Sequence, residues 1–187
     1  MNQGLNIKDA NNSGITLLQY AIKYNNHKII RFLISKGVNP NQADKNGWTP
    51  LTWASMKGQT EVVKALLTAP GIDVNLVDKY GKTPLWQAIC CGKTEAVKAL
   101  LTSPGIDVNK ADNDRGTPLW WASMKGKTEL VKALLTSPRI NVNKASMHGQ
   151  TPLHIASGRG ETEVLKLLIR APGIDVNRGA SMGIRLC

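Results

Sequence analysis

The triplet Thr-Pro-Leu stands at Thr49, Thr83, Thr117 and Thr151, each start 34 residues after the last. A weaker copy begins at Thr16, where Leu17 replaces the proline. It lies 33 residues before Thr49 because its loop, Lys36-Gly37-Val38-Asn39, is one residue short. A fixed period of this length marks a repeat architecture and constrains the fold more than any single residue does. Five copies cover almost all of the 187 residues.

The second copy shows the local physics that all five repeat. Thr49 is placed to cap a helix, and Pro50 suits the first helical position, where a missing N–H costs nothing. A helix of about two turns follows from Leu51 to Lys57 and stops at Gly58, which suits a left-handed end. Thr60 is placed to cap a second helix, with Glu61 in its first turn and Val62, Val63, Ala65, Leu66 and Leu67 on its apolar face. Pro70-Gly71 ends it, Ile72-Asp73-Val74-Asn75 extends, and Asp78-Lys79-Tyr80-Gly81 forms a turn. Neither helix can bury its apolar side alone, so adjacent units have to stack.

Gly-Lys-Thr-Pro-Leu, then Lys-Ala-Leu-Leu, then Gly-Ile-Asp-Val-Asn closely resemble the ankyrin repeat family. The resemblance covers roughly residues 11–187. It implies an all-α fold with short β-hairpin-like loops, an ankyrin-repeat solenoid of stacked helix-turn-helix units. The expected division is an N-terminal extension at 1–10 and repeats at 11–43, 44–77, 78–111, 112–145 and 146–179. Residues 180–187 read as a truncated sixth repeat or a tail. The first repeat, degenerate and rich in Asn25, Asn26, Lys23 and Lys28, is expected to serve as a polar cap, whereas nothing after Asn177 can cover Leu165 and Leu168.

Departures from the family pattern carry information. The histidine that follows Thr-Pro-Leu survives at His154, while Gln19, Thr52, Trp86 and Trp120 replace it. The fourth turn reads Asp112-Asn113-Asp114-Arg115-Gly116, which moves the glycine by one place and leads us to expect an altered hairpin finger there. Each longer loop carries a proline, Pro70, Pro104, Pro138 or Pro172.

Chemistry is sparse. The glycines fall at punctuation points of the repeats rather than in a phosphate loop, and no nucleophile, base and orienting group recur together. We expect no catalysis and no cofactor. His27, His148 and His154 are not spaced as metal ligands, and Cys90-Cys91 could bridge only with strain. Three cysteines including Cys187, without a spaced framework, point to reduced thiols and hence to the cytoplasm or nucleus, or to delivery into a host cell if the source is a parasite or bacterium. No apolar run nears the roughly 20 residues of a membrane helix. The start, MNQGLNIKDA, lacks the features of a secretory signal, and Gly4 is not placed for myristoylation.

The resemblance implies partner binding through a concave groove. Carried over position by position, the finger tips are Asn12, Ser13 and Ile15, then Lys45, Asn46 and Trp48, then Lys79, Tyr80 and Lys82, then Asn113 and Asp114, then Met147, His148 and Gln150. The ends of the first helices supply two columns. One runs Tyr24, Lys57, Cys91, Lys125, Arg159, a short basic stripe, and the other runs Lys23, Met56, Cys90, Met124, Gly158, largely polarizable. Trp48 and Tyr80 are the expected anchors. Trp53 and Trp121 read as core, and Trp86 and Trp120 as either packed between repeats or exposed in the groove.

Charge supports a partner that is acidic or mixed apolar and acidic. The chain carries 24 Lys+Arg against 13 Asp+Glu, a net +11, of which +7 falls in residues 115–187 and +4 in residues 1–114. The column Arg31, Lys64, Lys98, Lys132, Lys166 is set aside as a solvated face, three residues after Glu61, Glu95, Glu129 and Glu163 in the last four repeats. Electrostatic binding of nucleic acid or an anionic surface is the weaker alternative, lacking a recognition motif. A targeting fragment of a larger protein or enzyme is another, and a monomer is favoured. The resemblance also implies that loop residues Asn75, Asn109, Asn143 and Asn177 hydrogen bond their loops or serve as substrates of an asparaginyl hydroxylase.

Overall fold

A computed structural model of the chain describes residues 10–178. Gly4, most of the N-terminal extension, segment 180–187 and Cys187 lie outside the described residues. Within them the chain forms five helix pairs: α1 Leu17–Lys23 and α2 His27–Ser35, α3 Pro50–Lys57 and α4 Thr60–Leu67, α5 Pro84–Cys90 and α6 Thr94–Leu101, α7 Pro118–Met124 and α8 Thr128–Leu135, α9 Pro152–Arg159 and α10 Thr162–Ile169. The residues fall into two compact units, one ending at Ile106 and the other beginning at Asp107. In the first unit α1 packs on α3 and α3 on α5, with α2 on α4 and α4 on α6. In the second α7 packs on α9 and α8 on α10. Ile22, Leu33, Leu51, Leu66, Leu85 and Leu100 fill the first unit, and Leu119, Leu134 and Leu168 the second.

Capping explains where the helices start. The threonines of the repeated triplet accept at their side chains from the N–H groups of Thr52, Trp86, Trp120 and His154, with proline in each first turn. The histidine that closes this cap in the fifth repeat, with Nδ1 2.8 Å from the Thr151 hydroxyl, is replaced elsewhere without losing the cap. Gln19 Oε1 accepts from Thr16 N–H at 2.8 Å, and the Thr52 hydroxyl lies 3.0 Å from that of Thr49. The second helices differ from the expectation. Thr60 is the first residue of α4 rather than its cap, and Gln59, which precedes it, makes no side-chain capping bond. Gln59 Nε2 instead crosses to the Ile22 carbonyl at 2.9 Å, tying the second pair to the first.

The second, third and fourth fingers are each organised by one buried carboxylate. Asp44 Oδ1 accepts from Asn46 and Trp48 N–H at 2.8 and 3.0 Å, and its Oδ2 accepts from Trp53 Nε1 at 3.2 Å. Asp78 takes Tyr80 and Lys82 N–H at 2.9 and 3.0 Å and Gln87 Nε2 at 3.1 Å. Asp112 takes Asp114 and Gly116 N–H at 3.1 and 2.9 Å and Trp121 Nε1 at 2.8 Å. In the fifth finger Ser146 replaces the acid and Ile155 the donor. The buried Ser146 hydroxyl has no hydrogen-bond partner among the described residues. Neighbouring fingers also bond directly, Lys45 N–H to Ser13 O at 3.2 Å, Lys79 N–H to Asn46 O at 3.3 Å and Met147 N–H to Asp114 O at 3.2 Å.

The fourth finger keeps the backbone pattern of the others, contrary to the expected alteration. Asp112 N–H still reaches the carbonyl four residues on, at 3.1 Å. What changes is the residue that absorbs the turn. Arg115 adopts φ +59° where Gly47 and Gly81 adopt +81° and +75°. A left-handed conformation costs a residue with a Cβ about 1–2 kcal/mol.

Asparagine clips join the loops. Asn41, Asn75, Asn109 and Asn143 donate from Nδ2 to the carbonyls of Gly71, Gly105, Arg139 and Gly173 at 2.7, 2.8, 2.7 and 2.7 Å. Asn109 Oδ1 also accepts from Asn141 N–H at 2.8 Å.

The outer faces of the first and last pairs are apolar. Ile29 is 40% exposed, whereas its equivalents Val62 and Val164, each preceded by a pair in its own unit, are 1% exposed. Leu17, Tyr20 and Phe32 join it. The polar residues expected to make the first repeat a cap gather instead at the turn between α1 and α2. At the other end Val176 is 55% exposed against 4% for Val142. On the second helices Lys64, Lys98, Lys132 and Lys166 reach Glu61, Glu95, Glu129 and Glu163 at 2.8, 2.8, 2.7 and 2.7 Å, all solvent-exposed. The hydrogen bond from Lys64 and its charge hold the Glu61 carboxyl below its usual range, and Lys166 does the same for Glu163. Because both acids are lowered, these pairs support the fold above the ordinary glutamate range and cease to do so as pH falls through the lowered values.

Three substitutions test the finger logic by denaturant unfolding. Asp44→Ala strands two backbone donors and an indole N–H and should destabilise by about 2–4 kcal/mol. Ser146→Asp restores an acceptor to the fifth finger and should stabilise by about 1 kcal/mol. Arg115→Gly relieves the left-handed arginine and should stabilise by about 1 kcal/mol.

Candidate functional site

The residues expected to meet a partner come from the finger tips and from the C-terminal ends of the first helices. The capping threonine and proline set where each of these helices begins, and a left-handed residue ends the turn after it, Asn25 at φ +55° and Gly58 at +70° in the first two repeats. The last two side chains before that turn therefore recur at one place on successive pairs.

In the first unit those ends carry exposed Tyr24, Lys57 and Cys91, with Met56 and Cys90 half-buried beside them. The rings of Tyr24 and Tyr20 lie 4.8 Å apart. A hydrogen bond with Tyr24 raises the Tyr20 phenol above its ordinary range. In the second unit the ends carry exposed Lys125 and Arg159, with Met124 half-buried and Gly158 exposed. The expected basic column thus contributes one lysine to the first unit and a Lys–Arg pair to the second.

The tips are more tightly organised than their residue types suggested. Lys45 is exposed. Trp48 is not a free anchor: its ring stands 5.3 Å from Trp53 in an edge-on arrangement, and its Nε1 donates to Asp78 Oδ2 of the next finger at 3.3 Å. Tyr80 is the exposed aromatic of this region, 53% accessible, and Lys79 and Lys82 each place an ammonium 5.1 Å from its ring centre. The Lys82 ammonium also lies 4.2 Å above Trp86, which is buried at 5% exposure. A cation over an indole face is attracted to the ring's negative face.

Two tryptophans read from the sequence as core and two left open between packing and groove now separate. Trp53 and Trp121 are half-buried braces of the finger carboxylates rather than plain core. Trp86 is buried, and Trp120 is half-buried and 5.3 Å from Trp121. The signal for the brace was present in the sequence: Trp53, Gln87 and Trp121 each follow an aspartate by nine residues.

Two cavities complete the surface of the second unit. One of about 330 Å³ lies between the fourth and fifth fingers, walled by Gly116, Trp120, Trp121 and Met147 and rimmed by Asp114, His148 and Gln150. This is where the structure places His148. The other, about 250 Å³, lies on the outer side of the last helix pair among Leu153, His154, Leu165, Ile169 and Val176. Among the described residues no group of three or more His, Cys, Asp or Glu is placed to hold a metal ion, and no helix is long and apolar enough to cross a membrane.

Comparison with known proteins bears on this geometry. A family model described as "Ankyrin repeats (3 copies)" matches residues 1–78, 43–112 and 104–180. The mouse RelA-associated inhibitor is 44% identical over 57 residues, 30% of this chain and 7% of that protein. A glycerophosphocholine phosphodiesterase of Schizosaccharomyces pombe is 36% identical over 67 residues, 35% of this chain and 6% of that one. A fowlpox virus protein named for its ankyrin repeats is 45% identical over 47 residues, 25% of this chain and 33% of its own length. The similar stretches thus span a third or less of each relative.

Tyr80 and Trp86 offer a contrast that separates tip from core. Tyr80→Ala should change unfolding stability by within about 0.5 kcal/mol, as exposed substitutions do. Trp86→Ala should cost about 3–5 kcal/mol. Equal losses in the two variants would show that the third finger tip is part of the core.

Proposed function

We propose, since this chain belongs to the ankyrin-repeat family, that it acts as a non-catalytic scaffold that binds a partner protein of acidic or mixed apolar and acidic character. The contact surface in this reading is the groove made by the finger tips and first-helix ends. The observation that carries it is found in each unit by itself, exposed cations beside half-buried methionines: Lys57 with Met56 in the first unit, and Lys125 and Arg159 with Met124 in the second. Methionine adapts to irregular apolar surfaces, and the flanking cations favour carboxylates at the rim. Tyr80, with Lys79 and Lys82 over its ring, supplies an anchor of the type that dominates interface energy. Lys45, Tyr24, Cys90, Cys91 and His148 complete the proposed surface.

The net charge of +11 and the lysines around Tyr80 favour a second reading, electrostatic binding of nucleic acid. Phosphate contacts alone make such binding steeply salt-dependent. A third reading follows from the relatives, in which the similar stretch is a minor part of a longer chain: the repeats target a larger protein or enzyme. The phosphodiesterase activity in the name of the yeast relative is not carried to this chain by a match covering 6% of it.

The groove reading is tested by capturing partners from the native cell with the wild-type chain and with Lys57→Glu/Lys125→Glu/Arg159→Glu. The variant should melt as the wild type does and bind the captured partner at least about tenfold more weakly, a difference of about 1.4 kcal/mol. Full affinity in a folded variant overturns the groove assignment. A random DNA duplex titrated at two salt concentrations should show no binding at either, and tight low-salt binding would favour the second reading.

A further inference from the structure

The cavity between the fourth and fifth fingers has a filled counterpart in the first unit, and that counterpart shows what the cavity is shaped to hold. In the second repeat Trp48 follows the left-handed glycine of the finger. Its indole leans between its own finger and the next, edge-on to Trp53 at 5.3 Å, with Nε1 on Asp78. Position by position, Trp48 corresponds to Gly116, Trp53 to Trp121 and Asp78 to Ser146. Gly116, Trp121 and Ser146 are all walls of the 330 Å³ cavity. The carboxylate bond beneath is the same in both places, with Trp53 tied to Asp44 and Trp121 to Asp112, although the Trp121 indole stands closer to residue 116 than Trp53 does to Trp48. What the fourth repeat lacks is the side chain that leans on the brace.

That omission results from the exchanged order Arg115-Gly116. Arginine takes the left-handed position, φ +59°, and glycine takes the place of the residue that would cover the tryptophan. A Cβ at Gly116 would come within 2.5 Å of Trp121 Nε1, so the braced indole and any side chain at 116 compete for one space. Trp120, where the second repeat has Thr52, supplies a second aromatic wall, 5.3 Å from Trp121 and at 83° to it. The volume lies at the lower end of the range for ligand pockets, which suits a single side chain.

We propose that this cavity is a receptor for one aromatic side chain of the partner, of the tryptophan type, seated against Trp121 as Trp48 is seated against Trp53. The proposal rests on the reading of the chain as a protein-binding scaffold and adds the chemistry of one contact. Paired aromatics prefer edge-to-face contact over flat stacking, which the walls at 83° offer. Asp114 at the rim opposes a carboxylate, while Asp114, His148 and Gln150 provide acceptors for an indole N–H.

The test uses the whole chain and N-acetyltryptophanamide as probe, followed by NMR titration. Wild type should bind it at one site, moving the indole N–H resonances of Trp120 and Trp121 and leaving that of Trp53 in place. Arg115→Gly, which keeps the cavity open, should bind equally. Arg115→Gly/Gly116→Trp, which puts a side chain into the space beside the Trp121 indole, should lose at least tenfold in affinity. No binding by wild type up to the solubility of the probe, shifts centred on Trp53, or unchanged affinity in the folded double variant would each overturn the proposal. So would preference for N-acetyl-lysine methylamide, which would assign the cavity to a cation as Lys82 is assigned to Trp86. If the double variant does not fold, the wild-type resonance map decides alone. The charge-reversed groove variant keeps the cavity, so loss of partner capture there with retained probe binding separates failure of the groove from failure of the pocket.

Discussion

Helices of seven to nine residues are too short to stand in water, so each pair is held by the pair beside it. Within each compact unit the buried leucines and valines of one pair lie against the next, and the polar contacts follow the same logic. Gln59 reaches back to Ile22, the asparagines clip loop to loop, and each bonded finger tip passes a hydrogen bond to its neighbour. This dependence also accounts for the two apolar outer faces. Ile29 and Val176 occupy positions that a neighbouring pair covers elsewhere in the chain.

The finger carboxylate turns this stack into a surface. One buried aspartate fixes the turn through two backbone N–H groups and holds a first-helix side chain through its other oxygen, so the tip residues stand on a rigid base. Rigid presentation lowers the ordering penalty of binding. Variation between fingers is then local. The second finger closes over its brace with Trp48, the third, braced by Gln87, sets Lys82 over Trp86, and the fourth leaves a cavity beside its brace. The fifth has lost both acid and donor. Near-identical units therefore present a different chemistry at each tip without altering the fold.

Much of this was legible in the residues. The 34-residue period, the Thr-Pro start of each first helix and the glycine after it, and the Glu–Lys spacing on the second helices rest on local geometry, and the structure follows them closely. Reading failed where a side chain's partner lies on another segment. Thr60 looked like a cap because its type suits one, yet Gln59 precedes the helix and turns to another repeat. Trp48 looked exposed by its place at a tip, whereas Asp78, 30 residues on, accepts its indole N–H. The fourth finger looked altered because a glycine moved, but the backbone bonds outweigh the cost of one left-handed arginine.

The sequence by itself determined the unit, its period, the order of its helices and the family, because those follow from capping, chain reversal and apolar spacing within about 34 residues. The tertiary structure alone decided which tryptophans brace, pack or line a cavity, and which cations stand clear beside the methionines. Those outcomes depend on what the adjacent finger offers at a given point: a carboxylate, an ammonium or, between the fourth and fifth fingers, a cavity. No period in the sequence encodes that contact, since the two halves of it lie in different repeats.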